Sequence, residues 1–356
     1  MPVPAVLSGH DSGRRKHGLF GAFRRLRLIR AARSDWIAGC PGGSLSSGKH
    51  PMKYLNVSKA KSVYAAGGNV TEYLRKEIGS PVNTSEIIEI AYDLQAGSYI
   101  EGVQENMGQA KASACELARL LAPHMEDGNT LLDVGTGELT TLSLLLASLD
   151  MKIGHAFAFD ISWSRLYKGL EFSHTILKEN ASLITPFVAD MKAIPLADKC
   201  IDVVTSSHAL EPNGGNLSGL LKELFRVCKE KLVLFEPSYE LNSDEGRKRM
   251  DRLGYIKDIE GTVAKLGGKL LDVTPVSNVA NPLNPTACYV IEPAKRDFRS
   301  AAPSGDRAAF TVPGTAFELM KTDGFWYSKE TGLAFPELKG IPILKSVNGI
   351  LASHLG

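Results

Sequence analysis

Four acids and two glycines carry the chemistry that is most legible in this chain. Asp133-Val134-Gly135-Thr136-Gly137-Glu138 stands between two apolar runs. Gly135 and Gly137 permit a tight turn that brings backbone close to a ligand. The helix that follows offers N–H groups without intrahelical partners. A dinucleotide site calls for a third glycine, in a Gly-x-Gly-x-x-Gly run that admits a pyrophosphate. Here that glycine is missing, and Asp133 and Glu138 flank the turn. Two carboxylates repel phosphate; they suit a cationic sulfonium ligand that also carries an ammonium group. Asp160 lies 27 residues after Asp133, where an acid can take both hydroxyls of a ribose. Ile161 beside it can cover one face of a base. Asp190 can accept from an adenine amino group, with Met191 against the ring.

A second set follows in Ser206-Ser207-His208-Ala209-Leu210-Glu211-Pro212. An ordinary imidazole pKa near 6.5 suits His208 to remove a proton from a hydroxyl or amine. A structural or cofactor-contact role for His208 stands ahead of that reading. Ser206 is assigned to the cofactor and Glu211 to the acceptor. Asn281-Pro282-Leu283-Asn284-Pro285 is either ordinary turn chemistry or a loop over the acceptor pocket, with Asn281 and Asn284 as hydrogen-bond donors. Glu236 is a weaker candidate for the same pocket.

Positioning these residues takes alternating strands and helices. LLDV (131–134), HAFAFD (155–160), ITPFVAD (184–190), IDVVTSS (201–207) and KLVLFEP (231–237) read as strands, separated by helical patterns over 140–149, up to about 178, and 216–229. Strands alternating with helices imply a parallel sheet covered on both faces. KLLDVTPVS (269–277) and TACYVIEP (286–293) add two strands as a terminal antiparallel hairpin. The expected fold is therefore α/β and Rossmann-like, with a mostly parallel seven-stranded sheet. The acids then fall at the carboxyl ends of consecutive strands, where ligands bind such sheets. The bland alternative is that they merely cap strands and helices. Residues 70–125 read as helices, with Thr71 able to cap the first and the last stopping at Pro123.

With these residues in view, residues 130–240 resemble a class I S-adenosylmethionine (SAM)-dependent methyltransferase, of the broad family that includes the ubiquinone-biosynthesis methyltransferases. LLDVGTGE resembles its first motif, AFDIS its second, VADMKAIPLADKCIDVV its third and fourth, and LVLFEP its post-core strand. The resemblance implies SAM as donor, held by Asp133, Gly135, Gly137, Asp160 and Asp190. Glu138, Ile161, Met191 and Ser206 complete the cofactor set. Amino-directed members often carry an Asn/Asp-Pro-Pro-aromatic run where this chain has SSHALEP, which argues against adenine or glutamine N-methylation. TGLAFPELKGIPIL, near the end, resembles the zinc-ribbon-like activator subunit of tRNA and translation-factor methyltransferases. The metal-bearing form needs cysteine pairs, and no cysteine follows Cys288, so no metal is expected. A degenerate ribbon docked on the catalytic domain is the preferred reading; an edge for contact with a protein partner is the alternative.

Composition sets the outer limits. Residues 1–51 carry nine Lys or Arg and two acids, a net +7, against +2 for the whole chain, which leaves −5 for the rest. An acidic body gives no footprint for nucleic acid. The five cysteines are scattered, without a CxxC pair, as in a reducing compartment. No apolar run reaches the roughly 18 residues of a membrane span, and a cytoplasmic protein is expected. The organisation read from the sequence is a basic disordered extension at 1–51, with translation beginning at Met52. A helical region at 52–125, a SAM-binding domain at 126–295, a linker at 296–309 and a small β-rich tail at 310–356 follow. Three functions fit: a methyltransferase for a small molecule or glycan, one for RNA or protein, and a non-catalytic SAM-binding protein.

Overall fold

The computed structural model describes residues 56–278, 281–294 and 310–355. The proposed extension at 1–51, the start at Met52 and the linker at 296–309 lie outside the described residues. Five helices come first: α1 (Val57–Ala65), α2 (Val70–Ile78), α3 (Ser85–Asp93), α4 (Ser98–Glu105) and α5 (Met107–Leu121). The cap of α2 is not Thr71. Asn69 accepts from the Glu72 N–H, three residues on, and Thr71 Oγ1 only donates to Asn69 at 2.7 Å. Asn69 has the extended backbone and the right spacing for that bond. Helices α1–α3 bury a small core of their own, Ala60, Val70, Leu74, Ile87, Ile90 and Ala91.

A seven-stranded sheet follows, built from β1 (Thr130–Val134), β2 (His155–Asp160), β3 (Ile184–Val188), β4 (Ile201–Ser207), β5 (Cys228–Pro237), β6 (Lys269–Pro275) and β7 (Thr286–Glu292). Helices α6 (Thr140–Ser148), α7 (Trp163–Leu177) and α8 (Leu217–Val227) connect its strands. The order is β3-β2-β1-β4-β5-β7-β6, with β7 antiparallel to both neighbours. From β1 the chain winds one way to β3 and then returns to β4 on the other side. That reversal opens a crevice at the carboxyl ends of β1 and β4, the ligand position in doubly wound sheets. The parallel strands are nearly continuous runs of buried apolar residues, as a sheet covered on both faces requires.

Two helices before β6 were not legible: α9 (Asp244–Leu253) and α10 (Ile259–Lys265). The sequence of α9, DEGRKRMDRL, buries only Gly246 and Met250, so it has no apolar period to read. Its ends were the available signal. Ser243 caps the start, and Gly254 ends it in the left-handed conformation.

The tail forms a second sheet of β8 (Met320–Lys321), β9 (Phe325–Ser328), β10 (Leu333–Leu338), β11 (Ile341–Pro342) and β12 (Ile350–Leu351). It is seated on the β3 edge. Ile343 bridges Val188 in parallel, the Leu344 N–H donates to the Val188 carbonyl at 2.8 Å, and Phe310 bridges Leu196. Phe310 meets Phe187 and Trp326 edge-on at 5.0 and 4.9 Å, and Phe310, Val312, Leu319, Phe335 and Leu344 belong to the main core. Lys345, nearly buried, pairs with Glu89 of α3. Among the described residues, no helix is long and apolar enough to cross a membrane.

Candidate active site

The turn after β1 is built as its glycines suggest. Gly135 and Gly137 sit at φ 64° and 59°, where a side chain is strained. A Cβ on Gly135 would lie 2.5 Å from Ala209 Cβ, and one on Gly137 would lie 2.4 Å from Arg165 Nη2. Neither glycine can be replaced without moving what faces it. The Thr136 N–H donates to the Phe159 carbonyl, and the Gly137 N–H donates to Asp160 Oδ2 at 3.0 Å. Asp160 takes a second N–H from Ser162 at 2.9 Å. Strand β2 thus clamps the turn after β1 through its last carboxylate. Asp133 is buried one residue before the end of β1, and burial above all pushes its carboxyl up to about 7. Thr136 Oγ1 is buried and makes no hydrogen bond of good geometry, though it stands near enough to Asp133 to oppose the upward push on that carboxyl.

Glu138 has a different position from that of an open ligand acid. Its two oxygens accept from the Gly97 and Ile100 N–H groups at 2.9 Å each, so it caps the start of α4. Opposite it lies Arg165 of α7, with the Tyr92 and Tyr99 rings 5.2 and 4.6 Å from its guanidinium carbon. Ile161 is half-buried beside Asp160. Strand β3 stops at Val188, so Asp190 lies two residues beyond its end rather than closing it. The half-exposed Asp190 carboxylate accepts the Lys192 N–H at 2.9 Å, and Met191 Cε lies 3.9 Å from the Cβ position of Gly135. Ser206 is fully buried, and its hydroxyl donates to Glu236 at 2.8 Å. It therefore joins the neighbouring cluster, because it pairs with Leu234 and so shares a sheet face with Glu236, two residues further along β5.

That cluster gathers at the carboxyl ends of β4 and β5 and the start of β7. His208 is held in the left-handed conformation, φ 57°, which is uncommon for a side chain of its size. Its Nδ1 lies 2.8 Å from Glu211 Oε2 and its Nε2 lies 2.8 Å from Thr286 Oγ1. Asn284 donates to Glu211 at 3.1 Å, while its Oδ1 has no partner. Burial alone would push the imidazole down; the Glu211 hydrogen bond and charge outweigh it and hold His208 above its ordinary value. Burial likewise works to raise Glu211, but His208 first, then Tyr255 and Asn284, keep it below the ordinary carboxylate range. Glu236 accepts the Ala209 and Leu210 N–H groups, and burial pushes it up to about 7. Ala209, the residue after His208, is the one that meets Gly135. The two groups of residues share a wall.

Asn281 stands apart from both. Its side chain accepts the Leu283 N–H and its carbonyl accepts the Asn284 N–H, so it shapes the turn that delivers Asn284. Sequence reading missed Arg165, Tyr92, Tyr99 and Thr286. The signal for Arg165 was its distance from Asp160, five residues along in AFDISWSR, which sets it on the first turn of the helix. A hollow of about 460 Å³ lined by Lys199, Lys229, Lys231 and Glu292 lies at the opposite end of the strands. That is the end from which doubly wound sheets do not work, and none of the residues above lines it.

Residues 132–235 match the methyltransferase domain family. The matched stretch is a methyltransferase domain, for which S-adenosylmethionine is the expected methyl donor. No curated protein matches the chain. Among solved structures, the chain is similar to a complex between the Haloferax volcanii Trm112 methyltransferase activator and a methyltransferase, at 18% identity and a TM-score of 0.44. That match covers 56% of this chain and 94% of the other. It is also similar to a SAM-dependent methyltransferase from Aquifex aeolicus, at 19% identity, 49% and 89% coverage and a TM-score of 0.37. A third is geranyl diphosphate C-methyltransferase from Streptomyces coelicolor, at 12% identity, 50% and 78% coverage and a TM-score of 0.40.

The residues present fit the cofactor. Both glycines leave cradles that a Cβ would fill, Thr136 Oγ1 is an orphan at the turn, and the buried acids suit a ligand that is cationic at its sulfur and nitrogen.

Proposed function

We propose that this chain methylates a hydroxyl or amine of a small molecule or glycan, with His208 removing the acceptor's proton. In this reading Asp133, Gly135, Gly137, Asp160, Ile161, Asp190 and Met191 hold the cofactor. Asp133 receives its ammonium, Asp160 its ribose, and Asp190 and Met191 its adenine. When bound, SAM supplies a methyl group already activated by a sulfonium. The protein's part is then mostly to hold acceptor and donor in line.

The observation that carries the proposal is the pair His208–Glu211 on the loop whose next residue, Ala209, packs on Gly135. Glu211 fixes one ring nitrogen of His208 and raises the basicity of the other. Thr286 Oγ1 holds Nε2 at 2.8 Å, so an acceptor hydroxyl would have to displace that contact to reach the ring. Asn284, anchored on Glu211, has a free carbonyl oxygen to receive a second hydrogen bond from the acceptor. The tail, in this proposal, serves the domain from within the same chain as a fused support for β3 and α3. The contacts of Leu344 with Val188 and of Lys345 with Glu89 support that role.

The test is incubation of the full chain with methyl-labelled SAM and separated small-molecule, RNA and protein fractions of a cell extract. Label in the small-molecule fraction, reduced in His208→Asn, is the expected result. Label confined to RNA or protein would overturn the choice of acceptor. SAM binding without label in any fraction would favour a non-catalytic SAM-binding protein.

A further inference from the structure

The anomaly beside the turn is Arg165. Its side chain is only 9% exposed, yet it donates no side-chain hydrogen bond to any described residue, and Nε is buried without a partner. Its nearest acids, Glu138 Oε1 and Asp160 Oδ2, each stand 3.8 Å away, beyond hydrogen-bond distance. Those acids are already engaged. Glu138 holds two N–H groups of α4, and Asp160 holds those of Gly137 and Ser162. They neutralise the guanidinium without using its donors. A guanidinium this buried that finds no protein acceptor at hydrogen-bond distance, with Nε wholly unpartnered, is costly unless something is meant to meet it.

Its surroundings fix the group in place and aim it. Tyr92 of α3 and Tyr99 of α4 lie at 5.2 and 4.6 Å, within the range of cation–π attraction. Nη2 points at Gly137, where even one added carbon would sit 2.4 Å away. The missing side chain at Gly137 therefore keeps open the approach between the guanidinium and the cofactor turn. Tyr99 is 43% exposed, so the cage reaches the surface on the side of the helical cap.

We propose that Arg165 binds the carboxylate of SAM's methionine end. This rests on the assignment of SAM to the turn. Ribose, adenine and sulfonium offer no anion; the carboxylate is the cofactor's one negative group. It is also planar with two oxygens, the shape a guanidinium fork meets best. Asp133, before the turn, and Arg165, against its second glycine, then receive the ammonium and the carboxylate carried by the same carbon. Glu138 and Asp160 are positioning residues for Arg165. The helical cap takes part through Tyr92 and Tyr99, so binding at this end couples α3 and α4 to the cofactor.

Calorimetry on the full chain separates the possibilities. S-adenosylhomocysteine carries the carboxylate; methylthioadenosine keeps the adenine, ribose and sulfur and lacks the amino-acid end. Arg165→Gln is expected to weaken S-adenosylhomocysteine about 100-fold, as for a lost charge-assisted pair, and methylthioadenosine by less than about threefold. Arg165→Lys is expected to fall between. Equal weakening of both ligands, or none of either, would overturn the assignment. If Arg165→Gln does not fold, the wild-type protein still decides. The carboxamide of S-adenosylhomocysteine should bind about 30-fold less well than the acid, and equal affinities would overturn the proposal. Failure of the wild type to bind methylthioadenosine or S-adenosylhomocysteine would instead overturn the SAM assignment beneath it.

Discussion

The proposed cofactor side and the proposed acceptor side of this molecule are built by different means. On the cofactor side, the turn from Asp133 to Glu138 is one short stretch of chain, shaped by two glycines and clamped by one carboxylate from the adjacent strand. On the acceptor side, His208, Glu211, Glu236, Asn284 and Thr286 come from segments up to 78 residues apart and hold one another. The first is a backbone device, suited to one fixed ligand. The second is a side-chain network, whose members could change without altering the turn. A fold that keeps the two apart can keep its cofactor and change its chemistry.

That contrast can be broken at four points. The largest effect belongs to Gly135→Val, which places a branched side chain at positive φ and against Ala209. It is expected to weaken S-adenosylhomocysteine by more than about 100-fold in calorimetry; binding within tenfold of wild type would show that the turn is not the cofactor seat. Next come His208→Asn and Glu211→Gln. Each should lower kcat by about 100-fold or more while S-adenosylhomocysteine affinity stays within about threefold. A fall in affinity as large as the fall in rate would merge the two sides.

The pH profile adds direction. His208 acts as a base only when unprotonated, and Glu211 holds it above its ordinary value, so the rate should rise with pH beyond 6.5. Glu211→Gln removes the raising charge and should move that rise to lower pH. Asp133, with its carboxyl at about 7 in the free protein, must ionise to receive an ammonium. S-adenosylhomocysteine affinity should therefore fall as pH drops below about 7, toward tenfold per unit, and Asp133→Asn should flatten the profile. The smallest effect is expected for Glu236→Gln. A carboxyl at about 7 is already largely protonated near pH 6, so the melting temperature there should change by less than about 4 °C, as for 1 kcal/mol or less.

The sequence made the turn after β1 legible because its causes are local. A glycine turn between an apolar run and a helix leaves a short signature, and Asp160 falls one strand later at a regular distance. The five parallel strands were legible for a similar reason, since buried parallel strands are unbroken apolar runs. What stayed hidden depends on tertiary contact. Nothing in the spacing of His208 and Thr286 says that they meet, and the site reading included the first and missed the second. Glu138 looked like a ligand acid because its partners, Gly97 and Ile100, lie some 40 residues earlier on another helix. Ser206 was assigned to the cofactor, whereas the face that β4 presents there belongs to Glu236. The α9 helix escaped because it covers almost no core, and helices reveal themselves by what they bury.

The most direct test of the account is calorimetry of S-adenosylhomocysteine against the full chain and Asp160→Asn. Asn keeps one oxygen, which can serve the Gly137 N–H or the Ser162 N–H but not both, and removes the charge that would take both ribose hydroxyls. Micromolar binding by the wild type, weakened about 10- to 100-fold in the variant, is the predicted result. No binding by the wild type, or equal binding by both proteins, would contradict a cofactor seated across the carboxyl ends of β1 and β2.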